Sequence, residues 1–206
     1  MSIPRVGFDR ALKRLYDVID GVLNPANDGD SFIGAIPSVT GLTVTEDGFG
    51  PLRRTVLNFT NVAFALTDNA GVVAYSGKKV YDFPAGLTLV HGAVLDIVVT
   101  KSSAGVDLDW AGFVGVGTVT ASNNATLSST EQDIIPTTAT TAAAGSSTMK
   151  ANNAAAIAPI VAGLGTDNDL FVNFLVDDGD QDVTSTPCNL IVNGTLVVTW
   201  VNLGNH

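Results

Sequence analysis

Apolar and polar residues alternate along most of this chain, which is the pattern of β-strands that bury one face. In residues 55–67 the later apolar residues share one face of a strand, namely Val62, Phe64 and Leu66. The earlier ones stand in the opposite phase, namely Leu57 and Phe59. Both sets can face one core only if an extra residue separates them. The pattern therefore predicts a bulge near Thr60–Asn61.

Turn signals divide the remaining strand-like runs. Asp68-Asn69-Ala70-Gly71 is typical of a hairpin turn, and residues 72–83 are predicted to return as the partner strand. Residues 87–100 form a long apolar run, and its interruption at His91-Gly92 predicts a bend. Residues 121–150 are rich in Thr, Ser and Ala, which indicates an exposed loop or a pair of short edge strands.

Two later runs predict strands with a clear inward face. The first inward set is Leu170, Val172, Phe174 and Val176. The second is Leu190, Val192, Leu196, Val198 and Trp200. Asn193-Gly194 interrupts the second run, and two interpretations follow: a short hairpin that turns there, or one long strand with a kink at the glycine.

Helical spacing occurs near the start of the chain, where residues 8–20 are predicted to form a helix. Its apolar stripe consists of Phe8, Leu12, Leu15, Tyr16 and Ile19. Such a short helix needs a tertiary partner, which can be the core of the same molecule or the surface of a neighbour. Residues 22–41 are rich in Asn, Pro, Asp and Gly and are predicted to be a linker.

These elements predict an all-β fold of about eight to ten strands without alternating helices. The pattern favours an antiparallel β-sandwich of jelly-roll-like type, preceded by a short N-terminal helical arm. We expect the arm and its linker to occupy residues 1–41 and the sandwich to occupy residues 42–206.

Charge is sparse, and this bears on partners. Charged residues make up 15% of the chain and the net charge is −10, so a nucleic-acid partner is not expected. All five arginines lie at or before Arg54, and no Lys or Arg follows Lys150. So thin a charged layer favours burial of surface between copies, and we expect an oligomer.

The chain offers few groups for catalysis, since it holds two histidines and one cysteine. Cys188 lacks an activating base in the sequence around it and is expected to be a buried, inert thiol. His91 stands alone in an apolar run and is expected to be a core or interface residue rather than a metal ligand. No enzymatic reaction is therefore expected.

The densest polar cluster is Asp177-Asp178-Gly179-Asp180-Gln181-Asp182. Alternating carboxylates at Asp178, Asp180 and Asp182 can present oxygens to Ca²⁺. The EF-hand pattern is not met, because its sixth position would be Val183 rather than glycine. We expect a solvated turn without a cofactor, and Ca²⁺ binding is the alternative.

The first residues contain no apolar signal segment, and no run approaches the roughly 18 apolar residues of a membrane span. Synthesis in the cytoplasm is therefore expected, with no membrane partner.

Three stretches resemble the β-rich structural proteins of tailed bacteriophages in their short sequence patterns and in composition. They are residues 58–68, 117–131 and 174–178. The similarity is strongest to capsid-associated or decoration proteins. It implies a virion component on the capsid surface that binds the major capsid protein and forms a trimer with other copies of itself. The stripe of residues 8–20 is the expected docking element. The alternative is a carbohydrate- or host-surface-binding module of a head fibre or tail adhesin. That module would use exposed aromatics at Tyr75, Tyr81 and Trp110.

Overall fold

Ten β-strands and one 3-10 turn make up the regular structure of the part of the chain that the computed structural model describes. The described residues are 34–49, 51–69, 73–84, 86–101, 111–122, 124–141, 148–156, 161–162, 168–177 and 188–203. The strands are β1 (Leu42–Phe49), β2 (Leu52–Asn69), β3 (Val73–Phe83), β4 (Thr88–Lys101), β5 (Ala111–Gly117), β6 (Ile135–Thr141), β7 (Thr148–Ala156), β8 (Val161–Ala162), β9 (Asn168–Asp177) and β10 (Cys188–Asn202). The 3-10 turn is Ser129–Glu131. The helix predicted at residues 8–20 lies outside the described residues.

All of the strand pairs are antiparallel, so the prediction of an all-β antiparallel fold is confirmed. One continuous path runs β6-β5-β9-β3-β2-β10-β4-β7, while β1 pairs with β2 and β8 with β4. The two end strands of that path, β6 and β7, approach each other. The sheet is therefore nearly closed into a barrel.

Strand β2 joins the two halves of this barrel. Most of its length pairs with β1 on one side and β10 on the other, and its last three residues pair with β3. We call β1, β2, β10, β4, β7 and β8 the front sheet, and β3, β9, β5 and β6 the back sheet. The hairpin between β2 and β3 stands where the Asp68–Gly71 turn signal predicted it.

The bulge predicted in β2 is present. Phe59 pairs with Gly194 and Val62 with Val192, so Thr60 and Asn61 together stand opposite Asn193. Asn61 adopts a φ of 55°, and its amide donates to Asn193 Oδ1 at 2.8 Å. As a result both apolar phases of the strand are buried in one core, namely Leu57, Phe59, Val62, Phe64 and Leu66.

Strand β10 is one long strand with a kink at Gly194, where φ is 130°, so the hairpin interpretation is wrong. A side chain at this glycine would lie 2.8 Å from Ile97 Cα of the neighbouring strand. The predicted inward faces of β9 and β10 are confirmed as fully or almost fully buried.

Aromatic side chains bridge the two sheets in the core. Trp200 is fully buried, and its Nε1–H donates to Thr55 Oγ1 at 2.8 Å. Phe83 packs edge-on against Trp200 with ring centroids 5.2 Å apart, and Phe64 does the same against Phe174 at 5.0 Å. Burial of such large side chains contributes about 1.5–3 kcal/mol each to stability.

The bend predicted in β4 is a bulge at His91. Gly92 pairs with Thr199 and Val90 with Trp200, so His91 is the extra residue. Its side chain is exposed, so the core interpretation of this histidine is wrong, and the interface interpretation stays a prediction. An extra residue in a ladder turns one side chain out of the alternation, which accounts for this exposure. Cys188, in contrast, is buried as predicted.

Candidate interaction surface

The site residues predicted from sequence fall mostly outside the described residues. These are the docking stripe Phe8, Leu12, Leu15, Tyr16 and Ile19, the carboxylates Asp178, Asp180 and Asp182, and the aromatic Trp110. They stay predictions.

Tyr81 contradicts the expected glycan-stacking platform. Its side chain is fully buried and packs edge-on against Phe83, so it cannot stack on a sugar. The extra residue that β3 carries before it, Val80, shifts Tyr81 into the core. Tyr75 is partly buried against the outer residues of the back sheet.

The outer face of the back sheet is covered by the chain itself. Residues 118–122 and 124–134, here called the cover loop, lie across β9 and β3. Ala121 and Leu127 of this loop pack on Val73 and Leu175 of the sheet. This face is therefore closed to partners where the loop lies.

Asn173 fastens the cover loop to the sheet. Its side chain is fully buried and accepts a hydrogen bond from the Ala121 amide at 2.8 Å. Its Nδ2 donates to the carbonyl oxygens of Val119 and Glu131 at 2.9 and 2.7 Å. A buried amide with its bonds satisfied fixes the position of the loop.

Glu131 holds the loop together from the inside. Its carboxylate accepts hydrogen bonds from the Ser122 amide and hydroxyl at 2.8 and 2.7 Å and from the Ser128 amide at 2.6 Å. Burial raises the pKa of Glu131, but these donors outweigh it and leave the pKa below the ordinary 4.5. The ionised form is therefore the one that fits the loop.

Gly77 lets the loop approach the sheet closely. A Cβ at this position would lie 2.6 Å from Asn173 Oδ1 and 2.7 Å from the Ala121 nitrogen. Any larger residue would push the loop off the back sheet. Glycine at position 77 therefore allows the cover loop to pack on the sheet.

The outer face of the front sheet differs, because no described segment lies across it. One row of residues in register crosses four of its strands, namely Thr45, Val56, Val197 and Val94. Val94 is 49% exposed, and Ala63 and Ala65 further along β2 are exposed as well. Apolar side chains thus stand in positions where a solvated sheet face carries polar ones.

The neighbouring rows add little charge to this face. On one side stand Thr43, Asn58, Thr195 and Asp96. On the other side Asp47 and Arg54 stand opposite each other, with Arg54 Nη1 3.6 Å from Asp47 Oδ2. Their charges largely cancel. We call the outer surface formed by these three rows and by Ala63 and Ala65 the open face.

A depression of about 180 Å³ lies at one end of the open face. Its lining residues are Asp47, Gly48, Leu52, Arg53, Arg54 and Thr199. Gly48 contributes no side chain, and Leu52 is 49% exposed beside it. A cavity of this size can hold one aliphatic side chain of a partner.

The edge of the front sheet at β1 carries an inward-pointing carboxylate. Both Glu46 oxygens are buried, and within the described part of the chain they meet no donor at hydrogen-bond geometry. Burial raises the pKa of Glu46, although the nearby Gly34 amide and Arg53 guanidinium act in the opposite direction. An inward charge on an edge strand discourages pairing with a foreign strand. This edge is therefore disfavoured as a pairing surface.

Within the described ranges, no three His, Cys, Asp or Glu side chains converge as a metal-binding group would. No helix in the same ranges has the length and apolar character needed to cross a membrane.

Comparison with known proteins found no matching family model and no matching curated protein.

Sequence reasoning missed the open face, although a signal for it exists. Leu196-Val197-Val198 places an apolar residue in the outward phase of β10, where alternation calls for a polar one. Val94 does the same in β4.

Proposed function

We propose that this chain is a non-enzymatic structural protein of a phage virion, specifically a jelly-roll-like decoration protein that oligomerises on the capsid surface. The observation that carries the proposal is the open face, an outer surface of low net charge with exposed Val94, Ala63 and Ala65. The resemblance of residues 58–68, 117–131 and 174–178 to phage structural proteins supports the virion as its location.

Such a protein acts by burying surface against its partners rather than by catalysing a reaction. Stable attachment between proteins requires about 1,000 Å² or more of buried area with good complementarity. A barrel with one face covered by its own loop and another that no described segment covers offers such a surface at a defined position. The major capsid protein and further copies of this chain are the proposed partners.

Docking to the capsid is assigned to the N-terminal stripe, Phe8, Leu12, Leu15, Tyr16 and Ile19. An amphipathic segment buries such a stripe in a groove of its partner. This assignment leaves the open face for other contacts.

The test uses particles purified from cells that carry the gene, with the chain quantified by mass spectrometry. We expect the chain at a fixed ratio to the major capsid protein. Deletion of residues 1–22 should abolish occupancy while the strands keep their circular dichroism signal. Absence of the chain from particles would contradict the proposed function, and full occupancy by the truncated chain would contradict the docking assignment.

A matched pair of variants refines the docking test. Replacing Leu12 and Leu15 by serine removes two residues of the stripe, whereas replacing Lys13 and Asp17 by serine changes only its polar side. We expect lost occupancy for the first pair and retained occupancy for the second.

A further inference from the structure

We propose that the open face binds the open face of a second copy of this chain and forms a twofold pair. This contact rests on the proposed function for its purpose, and it names the partner of that surface. Its evidence is the register of the front sheet, the exposure of its outer residues and their charges.

The apolar row supplies the centre of the contact. Val56, Val197 and Val94 stand side by side on three adjacent strands, so their outward side chains form one continuous ridge. Adjacent strands lie about 4.8 Å apart, which keeps these side chains in mutual contact. A ridge of this kind is stabilised when a partner removes it from water.

The area of the open face suits a second copy. Four strands at about 4.8 Å spacing span about 19 Å, and three rows of alternating residues cover about 20 Å along the strands. With Ala63 and Ala65 the face measures about 440 Å², and two such faces bury about 900 Å² in total. That value lies just below the roughly 1,000 Å² of a stable specific interface and suits a weak pair.

Charge permits the pairing although each chain carries a net charge of −10. On the open face Asp47 faces Arg54 of its own chain, and Asp96 is the other carboxylate of the three rows. A twofold axis along the strands places Asp96 opposite Thr43 of the other copy. An axis across the strands places it opposite Gly92. Neither arrangement brings two carboxylates together, so repulsion stays small.

Other occupants fit this face less well. The segment predicted to be helical, residues 8–20, would be about 20 Å long and 10 Å wide. It would cover about 200 Å², less than half of the face. A trimer requires a contact between two different surfaces, whereas identical faces that meet each other produce a dimer.

The test measures how fast a thiol placed on the open face reacts with a maleimide at different protein concentrations. Val94→Cys places the thiol on the valine ridge, and the native Cys188 is fully buried and contributes little background. Ala125→Cys, on the exposed cover loop of the opposite side, is the matched control. We expect the Val94→Cys rate to fall several-fold between about 1 and 100 μM protein, because the unpaired fraction of a dimerising chain falls at most with the square root of concentration. The control rate should not change.

Two results would overturn the proposal. A reaction rate of the Val94→Cys variant that is independent of protein concentration would show that the face is free or is covered by a segment of its own chain. A concentration-dependent rate with a trimer mass would show a contact of a different kind. If Val94→Cys fails to fold, Thr195→Cys on the adjacent row serves as the second variant. Occupancy of particles is measured in a separate experiment. If the pairing test fails, the virion proposal is still decided by that occupancy measurement alone.

Discussion

Two glutamates show how hydrogen-bond donors decide the role of a buried carboxylate. Glu131, 2% exposed, receives hydrogen bonds from Ser122 and Ser128, and its pKa lies below the ordinary value. Glu46 has buried oxygens that meet no donor at hydrogen-bond geometry among the described residues, and burial raises its pKa. The first is a fastening for the cover loop. The second is an inward charge on the edge strand β1, where it disfavours pairing with a foreign strand.

Replacing each glutamate by glutamine should therefore have different effects. Glu131→Gln places an NH₂ group among donors, and we expect a loss of about 1–3 kcal/mol of unfolding free energy. Glu46→Gln removes a buried charge that is poorly supplied with donors, and we expect no loss or a small gain at neutral pH. Urea denaturation of both variants measures the difference. Equal losses would contradict these roles.

The pH dependence gives an independent check with opposite signs. The pKa of Glu131 is lowered in the folded state, so its contribution to stability is present above 4.5 and disappears as the pH falls through the folded pKa. The pKa of Glu46 is raised, so its contribution is present below 4.5 and disappears as the pH rises through the folded pKa. Glu131→Gln should flatten the acid limb of the stability profile, whereas Glu46→Gln should act at higher pH.

At the scale of elements, the bulge in β2 brings two apolar phases into one core. The phase change between Phe59 and Val62 made it predictable, because side chains on a strand alternate strictly. The same rule predicted the inward faces of β9 and β10. The kink at Gly194 was one of two open interpretations, since sequence alone does not say whether a glycine turns or bends a strand.

Long-range contacts account for what the sequence did not predict. In the sequence, Asn173 is a single polar residue within a predicted strand. Its hydrogen-bond partners Ala121 and Glu131 lie 52 and 42 residues away along the chain. The residues next to Asn173 therefore do not indicate that it fastens a loop. The valines of the open face were visible in the pattern, whereas the absence of a covering segment depends on where the other described elements pack.

The bulge makes a prediction about Asn61, whose φ of 55° suits asparagine or glycine. Asn61→Gly should lower the unfolding free energy by less than about 1 kcal/mol, because glycine accepts this conformation. Asn61→Val should lower it by about 2 kcal/mol or more, because a branched Cβ is strained there. Thermal unfolding of both variants checks this. A valine variant as stable as the glycine variant would contradict the bulge geometry.

In the whole molecule, the outer faces of the two sheets differ. The back sheet is sealed by a loop that Asn173 and Glu131 fasten, and the front sheet shows an apolar ridge to the outside. Trp200 and Phe64 of the front sheet pack against aromatic rings of the back sheet, so the open face is supported from within. A supported face of low net charge is suited to assembly.

Sedimentation equilibrium of the intact chain shows whether this protein assembles through its open face. We predict a mass of twice the 21.2 kDa of one chain at about 100 μM. Val94→Glu should raise the dissociation constant at least tenfold, and Thr130→Glu on the exposed cover loop should leave it unchanged. A wild-type chain that stays monomeric at this concentration would contradict the account.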